Sequence, residues 1–334
     1  MTHILEPLLE ELDRQGLWPA LAGGRRGIEK ESLRFPPDGR LASTPHPRAL
    51  GSALTHPRIT TDFCEAQLEL ITQPATTVEA CLAQLDEVHR FVHARIGDEN
   101  LWAASMPCVL DADDEIPLAQ YGSSNVGRAK TVYRSGLGYR YGRAMQTISG
   151  IHYNVSFAEP LWDWYRERRA PGGSLQEARS AGYLALIRNF RRHAWLLLYL
   201  LGASPALCHT FLGGRPTDLD RRGAGTLFRP WATSLRMGDL GYQSDAQRAL
   251  HVSYNDLDDY AGSLFGALTT PHPPYERIGT RVDGEWRQLT TSLLQIENEF
   301  YGTIRPKRSI MAGERPLHAL DERGVEYVEV RCLD

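Results

Sequence analysis

The sequence predicts an α+β fold built around one sheet, and two observations carry that expectation. Stretches with apolar residues at helical spacing interleave with short stretches of period two, and no linker, internal repeat or low-complexity tract divides them. The period-two stretches are separated by tens of residues that include helices, so their strands must meet from distant parts of the chain. At 334 residues, 42% of them hydrophobic, the chain can bury a sizeable core, and residues 1–334 read as a single domain.

The helices come first. Residues 1–18 form an acidic amphipathic pattern with Ile4, Leu5, Leu8, Leu9 and Leu12 on one side, without the basic start and apolar run of a signal peptide. Residues 77–96 carry the stripe Val78, Leu82, Leu85, Val88, Val92 and Ile96. Residues 174–201 follow Ser174 as N-cap and stop at Gly202, and a further helix is expected over 244–268. The most apolar run, 194–202 (AWLLLYLLG), is far shorter than the ~20 residues that span a bilayer and is expected as a buried helix end.

Five segments have strand character: 27–35 (GIEKESLRF), 61–72 (TDFCEAQLELIT), 147–157 (TISGIHYNVSF), 294–301 (LQIENEFY) and 324–331 (GVEYVEVR). Side chains two apart on a strand share a face. Glu29 therefore projects with Glu31, Glu65 with Gln67 and Glu69, and His152 with Asn154 and Ser156. Gln295, Glu297, Glu299 and Tyr301 share a face in the fourth segment, and Tyr327, Glu329 and Arg331 in the fifth. An ordinary half-exposed antiparallel sheet gives the same alternation. Like charges side by side destabilise a sheet, however, and carboxylates recurring on strand after strand require a counter-cation. Oxygen donors with one imidazole suit Mg²⁺ or Mn²⁺.

Basic residues follow the acidic ones. The fourth segment runs into 304–308 (IRPKR), Arg34 lies near the end of the first and Arg331 ends the fifth. Metal-binding carboxylates beside such cations can hold a nucleoside triphosphate without a P-loop; Arg305, Lys307 and Arg331 are the residues expected to meet it. The plain alternative is a basic turn after a strand. No GxxxxGK[ST] occurs, and the glycine pairs at 23–24 and 213–214 lack the Rossmann context. A net charge of −4 and a pI near 6.3 provide no global field for nucleic acid or an acidic membrane. The five cysteines are widely spaced and odd in number, which fits neither a disulfide framework nor a CxxC site and suits the cytoplasm; they read as packing residues. The acidic run at Asp111, Asp113, Asp114 and Glu115 reads as a solvated loop.

In order along nearly the whole chain, GIEKESLR (27–34), ALGSALTHPRITTDFCEAQLELIT (49–72), SMPC (105–108), LAQYGSSNVGRAKTVYRSGL (118–137), MQTISGIHYN (145–154), ATSLRMGDLGY (232–242), LQIENEFYGTIRPKR (294–308) and GVEYVEVR (324–331) resemble the proteobacterial glutamate-cysteine ligases. That resemblance implies a glutamine-synthetase-like carboxylate-amine ligase fold, with an antiparallel sheet curved into a funnel, and a single catalytic domain. It implies ATP-dependent joining of the glutamate γ-carboxylate to the amine of cysteine through γ-glutamyl phosphate, the first step of glutathione synthesis. By motif position it implies Glu29, Glu31, Asp62, Glu69, His152 and Glu329 as magnesium ligands. It further implies Arg236 at the glutamate, Arg331 at the transferring phosphoryl group, and Tyr242 and Tyr301 at the cysteine pocket.

Each has a plainer reading: His152 as a core histidine, Asp62 as a cap at the start of a strand, Tyr242 as a turn aromatic. Family members continue beyond the fifth segment with a largely helical portion, whereas this sequence ends at Asp334. An inactive binding module, or half of a split ligase working with a separate C-terminal chain, is therefore the alternative expectation.

Overall fold

The structure, a computed structural model, describes residues 2–169, 171–241, 244–311 and 313–334. Its main sheet has seven antiparallel strands: β1 (Arg26–Phe35), β2 (Ile59–Thr61), β3 (Gln67–Ile71), β4 (Asn100–Leu101), β5 (Ile151–Val155), β6 (Ile304–Lys307) and β7 (Tyr327–Leu333). The spatial order is β6-β7-β5-β1-β3-β2, with β4 also pairing β1. The α+β class expected from the period-two and helical patterns is what forms.

The apolar face of the sheet is covered by two helices. Thr77 accepts a hydrogen bond from the Ala80 N–H and starts α1 (Val78–His93), whose Val88 and Val92 pack with Leu68 and Leu70 of β3. Val78 and Leu82 of the expected stripe are 49% and 51% exposed, so only its second half reaches the core. Ser174 caps α2 (Leu175–Leu201) in a reciprocal box with Glu177. Tyr183, Leu184 and Ile187 of that helix bury Val328, Val330 and Cys332 of β7.

Four expectations need correction. Residues 294–301 are not a strand: they hold a short 3₁₀ turn at Glu297–Glu299, and their alternation comes from Glu299 burying its carboxylate against Arg140. The strand is Ile304–Lys307, which the basic composition and Pro306 disguised; at the sheet edge a proline's missing donor is tolerated. Residues 61–72 are a hairpin. Its tip is tied by the Glu65 carboxylate, which accepts the N–H groups of His46 and Gln120, so Glu65 leaves the face of Glu69. The helix expected over 244–268 is two, Asp245–Arg248 and Leu257–Thr269, because the Asp256 side chain accepts the Asp259 N–H and starts the second.

The fourth correction concerns the apolar run. At 1.5 Å per residue α2 is roughly 40 Å long, against roughly 23 Å for a seven-residue strand, so its end overhangs the sheet. Trp195, Tyr199, Leu200 and Leu201 are 60–69% exposed there. Among the described residues no helix is long and apolar enough to cross a membrane.

Candidate active site

The polar face of the sheet forms the floor of a cavity of about 490 Å³. Pairing register explains why distant carboxylates meet there. Glu29 is opposite His152 on β5, and Glu31 is opposite Glu69 on β3. Asn154 is opposite Glu329 on β7, which is in turn opposite Arg305 on β6. Because side chains alternate, all of these share one face while Leu68, Leu70, Val328 and Val330 fill the core behind them.

Glu29, His152 and Glu329 each offer a ligand atom, and these atoms all lie within 4.8 Å of one another. The Glu29 carboxylate is 3.4 Å from His152 Nδ1 and accepts a 2.8 Å hydrogen bond from the Asn154 amide. On the other side of the imidazole, Nε2 is 3.7 Å from Glu31. Glu31 accepts the Gly150 N–H at 2.7 Å. Asp62, in the β2–β3 hairpin, lines the same cavity beside Glu69. The structure thus brings together all six expected metal residues.

Their charges divide. Burial and the charge of Asp62 push Glu31 up to about 8, outweighing Arg236, Arg331 and the Gly150 N–H, which pull it down. Burial with Glu29, Asp62 and Glu31 as neighbours holds Glu69 well above the ordinary carboxylate range. Burial also raises Glu329, but Lys307, Arg331, His152 and Arg305 outweigh it and hold that carboxyl well below its usual range. Burial and Arg331 lower His152, leaving a neutral imidazole able to ligate.

The donor set fits a hard divalent cation: five carboxylates and one imidazole converge. His152 Nε2 and Glu329 Oε2 are buried without a hydrogen-bond partner, which a ligand would satisfy. The reading of His152 as a core histidine held by a backbone carbonyl does not describe its surroundings.

Cations rim the same floor. Lys307 Nζ is 3.4 Å from Glu329, and an Arg331 Nη is 3.2 Å from it. Arg236 is fully buried and donates to the Arg331 carbonyl at 2.9 Å. Its guanidinium occupies the space where Gly150 lacks a side chain. Arg305 lines the cavity but donates to the carbonyls of Asn298 and Phe300. Arg34, grouped with these from sequence, instead points to the other face and is buried against Glu99 and Thr44.

Tyr301 stands in the cavity wall and accepts a hydrogen bond from Gln146 at 2.9 Å. Tyr242 lies outside the described residues. Sequence reasoning missed the opposing wall, the helix Asn125–Tyr141, which presents Val126, Lys130, Tyr133, Arg134 and Leu137 to the cavity. The signal was their spacing of four, three, one and three; polar residues with Gly136 and Gly138 masked it. Beyond Lys307 a smaller cavity of about 170 Å³ opens between Tyr260, Leu264, Leu317 and Tyr327.

The chain matches the family model described as glutamate-cysteine ligase over residues 9–334. It is 58% identical to glutamate-cysteine ligase of Alcanivorax borkumensis, over 100% of this chain and 64% of that protein. The Pseudomonas putida protein of that name is 58% identical over 95% of this chain and 60% of its own length. A solved glutamate-cysteine ligase of Francisella tularensis in complex with AMP superposes with a TM-score of 0.88 at 42% identity, covering 93% of this chain and 61% of that one. A bifunctional glutathione synthetase of Pasteurella multocida gives a TM-score of 0.74 at 30% identity, with 97% and 37% covered. The chain spans about 60–64% of the length of these curated relatives.

Proposed function

The chain belongs to the glutamate-cysteine ligase family, and from that premise we propose that it joins the γ-carboxylate of glutamate to the amine of cysteine with conversion of ATP to ADP and phosphate. In this reading residues 1–334 are one catalytic unit, working in a reducing cytoplasm that suits five unpaired cysteines. The observation that carries it is the convergence of Glu29, His152 and Glu329 from three neighbouring strands beside Lys307 and Arg331.

A carboxylate is a poor acyl donor because its leaving group would be oxide; transfer of a phosphoryl group to it creates phosphate as the leaving group instead. Magnesium, or manganese, held by Glu29, Glu31, Asp62, Glu69, His152 and Glu329 would neutralise triphosphate charge. Lys307 and Arg331 face the same space and balance charge on the phosphates, with Arg331 placed for the group in transfer. Arg236 holds the glutamate, anchored by its hydrogen bond to the Arg331 carbonyl. Tyr301 and Gln146 confine the small acceptor amine. The Tyr260–Tyr327 cavity accepts the base, in keeping with AMP in the Francisella relative.

The test is phosphate release by folded, Mg²⁺-loaded protein, which should require glutamate and cysteine together. Release independent of either, or none, removes the ligase reading. A module without turnover, or half of a split ligase, has support in the 60–64% coverage of the relatives; it would bind MgATP calorimetrically yet turn over only when a second chain is added.

A further inference from the structure

Arg140 and Glu299 form an ion pair, 2.9 Å apart, in which both side chains are fully buried. Arg140 also donates to the Gln288 side chain at 2.9 Å and to the Thr290 carbonyl at 2.6 Å. With a further bond to the Leu293 carbonyl at 3.4 Å, one guanidinium gathers four points of the stretch 288–299, which has no ladder of the main sheet to hold it. Glu299 in turn accepts the Tyr141 hydroxyl at 2.7 Å and the Gln295 N–H at 2.6 Å. Burial of both charges offsets much of their attraction, and an apolar pair of similar volume would stabilise the wall about as well. What the ion pair adds is direction.

That direction leads to Tyr301. Gln247 donates to the Glu299 carbonyl and accepts the Tyr301 N–H, each at 2.9 Å. The ring of Tyr141, beside Arg140 in sequence, lies 5.7 Å from the Tyr301 ring. The Tyr301 hydroxyl then meets Gln146 across the cavity. Every link is a hydrogen bond or ring contact with defined geometry, so a shift at Glu299 moves Tyr301.

The geometry points to Arg140–Glu299 as a positioning pair that, through Gln247 and Tyr141, sets Tyr301 in the wall and so governs the fit of the acceptor amine rather than of the nucleotide. This rests on the ligase reading above. Both side chains of the pair are fully buried, with Glu299 in the cavity wall near Tyr301, and they act by placing that tyrosine. A misplacement of about 1 Å at a substrate-confining group costs up to roughly 100-fold, ample for a selective effect.

The test reads Tyr301 directly. With 3-fluorotyrosine at position 301, the parent should give one sharp fluorine resonance, and Gln247→Ala and Glu299→Gln should broaden or split it. In phosphate release, both variants should raise the cysteine KM about tenfold while the ATP KM and kcat stay within about twofold. Should Glu299→Gln fail to fold, Gln247→Ala leaves the ion pair intact and decides alone. An unchanged resonance in Gln247→Ala overturns the positioning role whether or not the chain turns over. So does a parallel rise of both KM values, which would mark general support. Absence of turnover by the parent would instead remove the ligase reading, and the fluorine spectra would still decide this claim.

Discussion

Glu31 and Glu69 stand directly opposite one another on adjacent strands, on the same face of the sheet. Two ionised carboxylates at such a position repel, and here Glu31 is buried and Glu69 half-buried. Without a cation the floor must therefore keep protons: Glu31 titrates at about 8 instead of near 4.5.

The sign of the resulting pH dependence is fixed. A folded-state pKa raised above the unfolded one gives stability that is complete below the ordinary carboxylate range and lost as pH rises through the folded value. Metal-free protein in chelator should melt at progressively lower temperature from pH ~6 to ~9, and Mg²⁺ or Mn²⁺ should flatten that slope by taking the place of the proton. Scanning fluorimetry across that range checks it; a melting temperature that rises with pH in chelator contradicts the protonated floor.

Glu69→Gln separates function from stability. Losing a metal-binding carboxylate should cut phosphate release by about 100-fold, while relieving repulsion should raise the chelated protein's melting temperature at pH ~8. Undiminished turnover contradicts the role given to Glu69.

Arg331→Lys keeps the charge but loses the planar fork. If Arg331 meets the group in transfer, kcat falls by about 100-fold with the ATP KM little changed. A change confined to KM would place it at ground-state binding only.

Gly150→Ala puts a methyl group where the Arg236 guanidinium lies. The arginine must move, so the glutamate KM should rise about tenfold or more in protein whose circular dichroism is unchanged. An unaltered KM would mean that Arg236 does not hold glutamate.

Ser174→Ala is the control on the scaffold. It removes the hydroxyl that accepts the Glu177 N–H, leaving the Ser174 backbone N–H still donating to the Glu177 carboxylate, and should cost about 1 kcal/mol in urea unfolding, leaving kcat intact.

The floor of the site was legible because a period of two is a local rule: once β1, β3, β5 and β7 were recognised, the shared face of Glu29, Glu31, Glu69, His152 and Glu329 followed. The walls were not. Glu299 alternates with Glu297 as in a strand, yet its carboxylate is spent on Arg140, a partner 159 residues away. Pairings of that kind leave no periodic trace. The helix facing the floor hid behind glycines that tertiary contact requires: Gly136 sits where a side chain would strike Gln295. Arg34 misled for the opposite reason, since strand parity places it with Lys30 and Ser32 behind the sheet, where Glu99 and Thr44 meet it.

The overhanging end of α2 has a practical consequence. Trp195, Leu196, Tyr199, Leu200 and Leu201 are all exposed there. Beside them, Thr233 packs on Gly202, and the fully exposed Trp231 lies two residues away in sequence. An oily ridge of this size in water binds fluorescent naphthalene dyes, retains the protein on phenyl resin and lowers the ammonium sulfate needed for precipitation. Purification behaviour will report on this corner of the molecule before any assay reports on the floor.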